Sequence, residues 1–172
     1  MATDDGTDHV DRLIEQWGRE RPELDTAPLR ISARIMRLER YLDRQTQEQL
    51  ATFGLNEGET NVLAALRRAG PPYALTPTDL YRSLLVSSGA MTNRLDRLEA
   101  AGLLERTPDP EDRRKVQVRL TEAGRERIDA ALDDHTRRMQ AELDFLEADD
   151  AEALAGLLRK VLRGFEARDP EA

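Results

Sequence analysis

Residues 76–124 read TPTDLYRSLLVSSGAMTNRLDRLEAAGLLERTPDPEDRRKVQVRLTEAG, and they carry the strongest structural signals in the chain. Its first four residues, Thr76–Asp79, combine an N-cap hydroxyl, a proline suited to the first helical position and an acid in the first turn, so a short helix begins there. A second helix is predicted from Ser88 to Ala101 and is closed by Gly102. Two short helices joined by a tight turn indicate a helix-turn-helix.

Two strand-like runs follow the second helix, at residues 103–106 and 116–120. The segment between them, residues 107–115, is rich in proline and in charged residues and is typical of a turn. This pattern predicts a two-stranded β-hairpin, or wing, beside the helix-turn-helix.

Further helices are predicted on both sides of this winged unit. Apolar residues at helical spacing indicate a short helix around residues 10–17 and a long one that runs from Pro28 to about residue 53. Asn56, with an acid three residues later, caps a third helix. After the hairpin, a long helix begins at Thr121 and a last one at residue 149 or 150. The chain is therefore predicted to be mainly α.

The terminal helices are amphipathic, although the winged unit already closes a core of its own. Their apolar faces need a partner, and the simplest partner is the same helices of a second copy, which gives a two-fold homodimer. We predict N-terminal extension and dimerisation helices at residues 1–53, a winged helix-turn-helix lobe at 54–121 and C-terminal dimerisation helices at 122–172.

The composition restricts the possible functions. The chain contains no Cys, which excludes disulfides, thiol redox sensing and thiolate metal sites. The net charge of −8 argues against a nonspecific nucleic-acid binder. Residues Pro77–Leu120 contain eight basic and seven acidic residues, so the negative net charge comes from the rest of the chain. The segment with the helix-turn-helix and wing patterns is therefore one in which acidic residues do not outnumber basic ones.

Membrane and catalytic roles find little support. The longest apolar run is the five residues Val62–Leu66, whereas a spanning helix needs about 20. Residues 1–8 are acidic and polar, unlike a secretory signal, so we expect a cytoplasmic protein with no membrane partner. His9 and His135 stand alone, and neither a metal site nor a cofactor is expected. An enzyme is the weakest interpretation, and the main alternative to DNA binding is a helical dimer that binds only ligand or protein.

Several residues of the winged unit together form a recognisable pattern: Ser87–Arg94, Gly102-Leu103, Asp112, Arg114, Leu120-Thr121 and Gly124. They resemble the MarR family of winged helix-turn-helix regulators, and the resemblance extends from Leu29 to Phe165. It implies a triangular dimer in which N- and C-terminal helices interlock. Two winged lobes would then lie over successive major grooves of a pseudo-palindromic operator in double-stranded DNA.

Residues of the first helix and of the winged unit make the resemblance more specific, to one branch of the family. Trp17 on that helix, Arg94 on the second helix of the helix-turn-helix and Arg106 on the first wing strand are similar to effector-site residues of the urate-responsive branch. That branch has Asp where this chain has Asn61, and an amide keeps hydrogen bonding but loses the charge that would pair with Arg94. The resemblance implies a repressor that a small anionic aromatic or purine-like effector, bound by these four residues, releases from DNA.

The helical wheel divides the second helix of the helix-turn-helix into two faces. Met91, Leu95 and Leu98 face inward. On the other face, Arg97 is suited to guanine and Asn93 to adenine. The outward positions and the basic wing tip are the predicted DNA contacts: Ser87, Ser88, Gly89, Thr92, Asn93, Arg97, Arg113 and Arg114.

Some of these residues have a second interpretation. The outward helix face could be only solvated, Arg94 could pair with a local acid, and Trp17 could be a packing residue. At the wing, Asp112 and Arg114 are assigned to a structural pair or to the minor groove, and Arg113 is left for phosphate.

Overall fold

The computed structural model describes residues 6–84, 87–108 and 115–169. Within these ranges the chain is mainly helical, as predicted, with a small antiparallel sheet. In chain order the elements are α1 His9–Glu20, α2 Leu29–Thr52, α3 Glu57–Arg68, β1 Ala74–Leu75, α4 Pro77–Ser83, α5 Ser88–Ala100, β2 Leu104–Pro108, β3 Val116–Leu120, α6 Glu122–Glu142 and α7 Ala148–Glu166.

Three helices of the winged lobe, α3, α4 and α5, begin at side-chain caps. Thr76 accepts a hydrogen bond from the backbone N–H of Asp79 at 3.1 Å, and Ser87 accepts one from Ala90 at 3.3 Å. Asn56 accepts from the N–H of Glu59 at 3.0 Å, and the Glu59 carboxylate accepts from the N–H of Asn56 at 3.1 Å, which completes a capping box. The caps predicted at Thr76 and Asn56 are confirmed and fix where α4 and α3 begin, and Ser87 does the same for α5.

The sheet contains one strand more than the sequence predicts. β3 lies in the middle, with β2 on one side and β1 on the other, and both pairings are antiparallel. The predicted two-stranded wing is confirmed as β2 and β3, and β1 is a further strand that the sequence did not predict. β1 has only two residues, which is too short to show the alternation of a strand, and it is held in place because the N–H of Leu120 donates to the carbonyl of Tyr73 at 3.1 Å.

The first wing strand also begins one residue later than predicted. Gly102 has a positive φ of 70°, and the N–H of Leu103 donates to the carbonyl of Leu98 at 3.0 Å. This is a helix-ending motif in which Leu103 still belongs to the cap of α5. β2 consequently starts at Leu104 and continues to Pro108, beyond the predicted end at residue 106.

The end of α5 is joined to the start of α6 by a compact set of backbone contacts. The hydroxyl of Thr121 donates to the carbonyl of Gly102 at 2.7 Å and accepts from the N–H of Gly124 at 3.0 Å, while the N–H of Thr121 donates to the carbonyl of Leu103 at 3.2 Å. Gly124 is required here because an added Cβ would lie 1.8 Å from the Leu103 carbonyl oxygen. We call residues 102, 103, 121 and 124 the helix junction.

A single apolar core lies inside the lobe. It is formed by α3, α4, α5, the two wing strands and the first part of α6, and the predicted inward face of α5 is buried in it. Its largest fully buried side chains include Leu63, Leu66, Leu80, Met91, Leu95, Leu98, Leu104, Val118 and Ile128. Because one face of α5 is used for this core, its opposite face is left open.

The contacts divide the chain into two compact units, one that ends at Ile128 and one that begins at Asp129. In the first unit, α2 exposes a row of large apolar side chains. In the second unit, no described residue of α7 is buried. The exposed apolar residues of these two helices include Ile31, Met36, Leu38, Leu157, Leu162 and Phe165.

Candidate nucleic-acid interface

The open face of α5 presents most of the side chains predicted to contact DNA. Ser87, Ser88, Gly89, Thr92, Asn93 and Arg97 are all exposed, whereas Met91, Leu95 and Leu98 on the opposite face are each at most 2% exposed. The predicted separation of the two faces is therefore confirmed. Three predicted wing residues, Asp112, Arg113 and Arg114, lie outside the described residues.

The polar groups on this face of α5 differ in whether they already form hydrogen bonds within the chain. The hydroxyl of Thr92 donates to the carbonyl of Ser88 at 3.0 Å, so its methyl group and its acceptor lone pairs remain available. In the described part of the chain, Asn93 makes no side-chain hydrogen bond. A Cβ added at Gly89 would meet no atom within 4 Å, so the backbone there is open to close approach. These properties suit contact with both base edges and phosphates.

Arg97 is exposed but anchored at one end. Its side chain is 70% exposed, yet its Nε lies 3.0 Å from Oε1 of Glu59, whose side chain is only 6% exposed. Arg97 lies on the outer face as predicted, but its pairing with Glu59 was not predicted from the sequence. The capping box that begins α3 was the available signal, because it places Glu59 at the N-terminal end of the helix that packs against α5.

Arg94 also rests on the first turn of α3. A Cβ added at Gly58 would lie 2.6 Å from Nε and 2.7 Å from Cζ of Arg94, so only glycine leaves room for the guanidinium there. Among the described residues no ion pair involves Arg94, so the local salt bridge considered from the sequence is not found. Asn61 lies exposed one turn further along α3.

Arg106 is held by two acids of α5. Its Nη1 donates to Glu99, its Nη2 donates to Asp96 at 2.7 Å, and its backbone N–H donates to Glu99 at 3.1 Å. Burial opposes the charged form, but the carboxylates of Asp96 and Glu99 outweigh it and raise the pKa of Arg106. The guanidinium therefore links β2 to α5, a contact that was not predicted from the sequence.

Trp17 belongs to a different helix pair. It is 43% exposed on α1, which packs against α2, while α3 packs against α5. Arg34 of α2 donates to Asp8 at 2.7 Å and to Asp11 at 2.8 Å. The pKa of Asp8 falls to about 2, first because the backbone N–H of Asp11 donates to its carboxylate and then because of Arg34. The four predicted effector residues thus divide between these two helix pairs and strand β2.

A cavity of about 460 Å³ opens beside the sheet, near the first turn of α6. None of the four predicted effector residues lines it; the lining includes Tyr73, Glu105, Arg119, Thr121 and Arg125. Among the described residues, no group of three potential metal ligands occurs and no helix is long and apolar enough to cross a membrane.

Comparison with known proteins identifies the fold family. Residues 53–115 match the model of the MarR family. The transcriptional regulator PecS of Dickeya dadantii is 34% identical over 152 residues, which cover 88% of this chain and 92% of PecS. The multiple antibiotic resistance protein MarR of Escherichia coli is 36% identical over 126 residues, covering 70% of this chain and 82% of MarR. The chain belongs to the MarR family.

A solved structure of a MarR mutant from E. coli complexed with operator DNA supports the assignment. It is 30% identical to this MarR-family chain, with a TM-score of 0.61, and the match covers 91% of this chain and 99% of that one. As a member of this family, the chain is a transcriptional regulator with a winged helix fold.

Proposed function

We propose that this MarR-family chain is a homodimeric repressor that places α5 of each copy in a major groove of a pseudo-palindromic operator and is released by a small anionic aromatic or purine-like ligand. The observation that carries the proposal is the open face of α5, where Thr92, Asn93 and Arg97 project from a helix whose other face is buried. As a regulator of transcription it would act in the cytoplasm.

Readout of the operator is assigned to α5 and the wing. Arg97 is suited to pair with guanine O6 and N7, and Asn93 with adenine N6 and N7. Ser87, Ser88 and the hydroxyl-bearing Thr92 lie near the start of the helix, where N–H groups and hydroxyls bind phosphates. Arg113 and Arg114 on the wing would add phosphate or minor-groove contacts, with Asp112 shaping the wing.

Dimerisation is assigned to the helices before residue 54 and after residue 121. Large apolar side chains on α2 and α7 are exposed in the single chain, and burying each one contributes about 1.5–3 kcal/mol. Interlocking helices of a second copy would cover them. The two copies of α5 would then lie about 34 Å apart, one DNA turn, and a monomer by sedimentation at micromolar concentration would contradict this arrangement.

Effector binding is assigned to Trp17, Asn61, Arg94 and Arg106. Arg94 is the best suited of the two arginines, because its guanidinium lies against Gly58 without an acid partner among the described residues, whereas Arg106 is held by Asp96 and Glu99. An anion that draws Arg94 towards it would shift α5. A 100-fold loss of DNA affinity requires about 2.7 kcal/mol of coupling between ligand and DNA.

The DNA-binding part of the proposal is tested with an electrophoretic shift on the DNA upstream of the chain's own gene. Arg97→Ala should lower affinity for the specific site about 5- to 150-fold. Arg68→Ala removes the same charge from an exposed position on α3 and serves as the matched control. An equal loss on specific and random DNA would contradict the assignment of Arg97 to bases.

The ligand part is tested on a preformed complex with operator. Urate, xanthine and salicylate are titrated against the parent, Trp17→Ala and Arg94→Ala proteins. Because Asn61 lacks the charge of an aspartate, we expect urate to act more weakly than another anionic aromatic, and Asn61→Asp to change the ligand response without abolishing DNA binding. A ligand that releases DNA equally well from all three proteins would show that this is not the effector site.

A further inference from the structure

The Glu59 carboxylate divides its two oxygens between two different tasks. Oε2 accepts the N–H of Asn56 at 3.1 Å and so closes the capping box of α3. Oε1 lies 3.0 Å from Nε of Arg97 on α5. Glu59 as a whole is 4% exposed. A buried carboxylate fixed by its own helix therefore forms an ion pair with an arginine whose side chain is otherwise exposed.

We infer that Glu59 is a positioning residue for sequence readout: its ion pair with Arg97 restricts where the guanidinium can lie before DNA binds. The inference rests on the proposed readout of DNA by α5. Bidentate pairing with guanine needs both Nη groups in one plane at a set angle. A free arginine side chain loses rotamer entropy when it is ordered on DNA, and the ion pair removes part of that freedom before DNA binds.

A purely structural role accounts poorly for this geometry. The capping box needs only one acceptor at this position, and a glutamine there would supply it as well as a glutamate. The second oxygen is used for Arg97, whose 70% exposure means that the pair adds little to folding stability. The remaining role for the buried Glu59 carboxylate is to orient the exposed Arg97 side chain.

The test compares full-length variants on a set of operators that each carry one base-pair substitution. Glu59→Gln keeps an oxygen for the Asn56 N–H but replaces the charged oxygen beside Arg97 with a neutral amide group. Arg97→Ala and the double variant complete a cycle. Asn56→Ala is the matched control, because it removes the other half of the capping box and leaves the Glu59–Arg97 pair intact.

Arg97→Ala should lower discrimination at one base pair of each half-site by about 5- to 150-fold. Glu59→Gln should lower discrimination at that same base pair by about 3- to 10-fold while affinity for random DNA stays within about twofold. The double variant should lose no more than Arg97→Ala alone, and Asn56→Ala should lower the melting temperature without changing discrimination. Should Glu59→Gln fail to fold, Glu59→Asp keeps the charge but shortens the reach, and the same loss is expected.

Three results would overturn the inference: a Glu59→Gln protein that loses affinity for all operators equally, one that binds operator more tightly, or an effect that persists in the Arg97→Ala background. If Glu59→Gln leaves discrimination between operators unchanged while Arg97→Ala lowers it, only the proposed role of Glu59 is disproved. If Arg97→Ala lowers discrimination at no base pair, the proposed readout by Arg97 is disproved, and the role of Glu59 is disproved with it.

Discussion

Replacing Gly124 by alanine should destabilise the lobe more than any other glycine-to-alanine change in a described helix. A Cβ added there would lie 1.8 Å from the carbonyl oxygen of Leu103, a backbone atom that cannot rotate away. Non-bonded carbon atoms pack at about 3.5–4.0 Å, so the start of α6 or of β2 must move by roughly 1.5 Å. That movement opens the helix junction.

The magnitude follows from the contacts that the movement breaks. The two hydrogen bonds from Thr121 to the carbonyls of Gly102 and Leu103 contribute about 1 kcal/mol each, and repacking around buried Leu103 costs about 1–3 kcal/mol. Alanine returns about 1 kcal/mol through its helix propensity. We expect Gly124→Ala to lower the free energy of unfolding by about 2–4 kcal/mol and the melting temperature by roughly 5–15 °C.

Urea and thermal unfolding at one fixed protein concentration would measure this loss, since dimerisation makes the melting temperature depend on concentration. Gly18→Ala is the matched control, because a Cβ added at Gly18, also inside a helix, meets no atom within 4 Å. It should leave stability unchanged or raise it by up to about 1 kcal/mol. If Gly124→Ala unfolds within about 0.5 kcal/mol of the parent, the close approach is not a real constraint and the reasoning is refuted.

Three further predictions follow from other contacts. The lowered pKa of Asp8, about 2 against an ordinary 3.8, means that its contribution to docking of α1 is complete above pH 3.8 and is lost as the pH falls through about 2. Fluorescence of Trp17, the single tryptophan, should report this transition, and Arg34→Ala should move it to higher pH; an unmoved transition would contradict the assignment. Arg106→Gln should lower the free energy of unfolding by about 1 kcal/mol in urea; unchanged stability with a lost ligand response would make it an effector contact instead. Gly89→Ala should keep or raise stability yet weaken operator binding in the electrophoretic shift, because close backbone approach to DNA would be blocked; undiminished binding would remove Gly89 from the interface.

Local signals in the sequence were enough to predict most of the lobe. The caps at Thr76 and Asn56 depend on neighbouring residues alone, so the starts of α3 and α4 could be predicted without tertiary information. The inward face of α5 follows from the 3.6-residue period. β1 could not be predicted, because a two-residue strand exists only through its pairing with β3. The start of β2 was displaced by the cap that Leu103 completes.

The candidate site was harder to predict because its important contacts join residues distant in sequence. Residues on the exposed face of α5 were identified correctly, but the partners of its arginines were not. Glu59 is recognisable only as a capping residue, and its contact with Arg97 arises when α3 packs against α5. In the sequence, Gly58 is only a residue of low helix propensity. In the structure, its lack of a side chain leaves the space that the Arg94 guanidinium occupies.

The first turn of α3 connects the two proposed functions of α5. Arg94 and Arg97 are three residues apart and so lie on neighbouring positions of one helix, and they rest on the adjacent residues Gly58 and Glu59. A ligand that attracts Arg94 would therefore act on the same turn whose Glu59 forms an ion pair with Arg97. Since a bidentate contact with guanine tolerates little change of angle, a small rotation of α5 on this turn would weaken base readout before the helix left the groove. Release by ligand would then begin as a loss of discrimination between operators, and a partly saturated protein should show it as a flatter base preference at the pair that Arg97 reads.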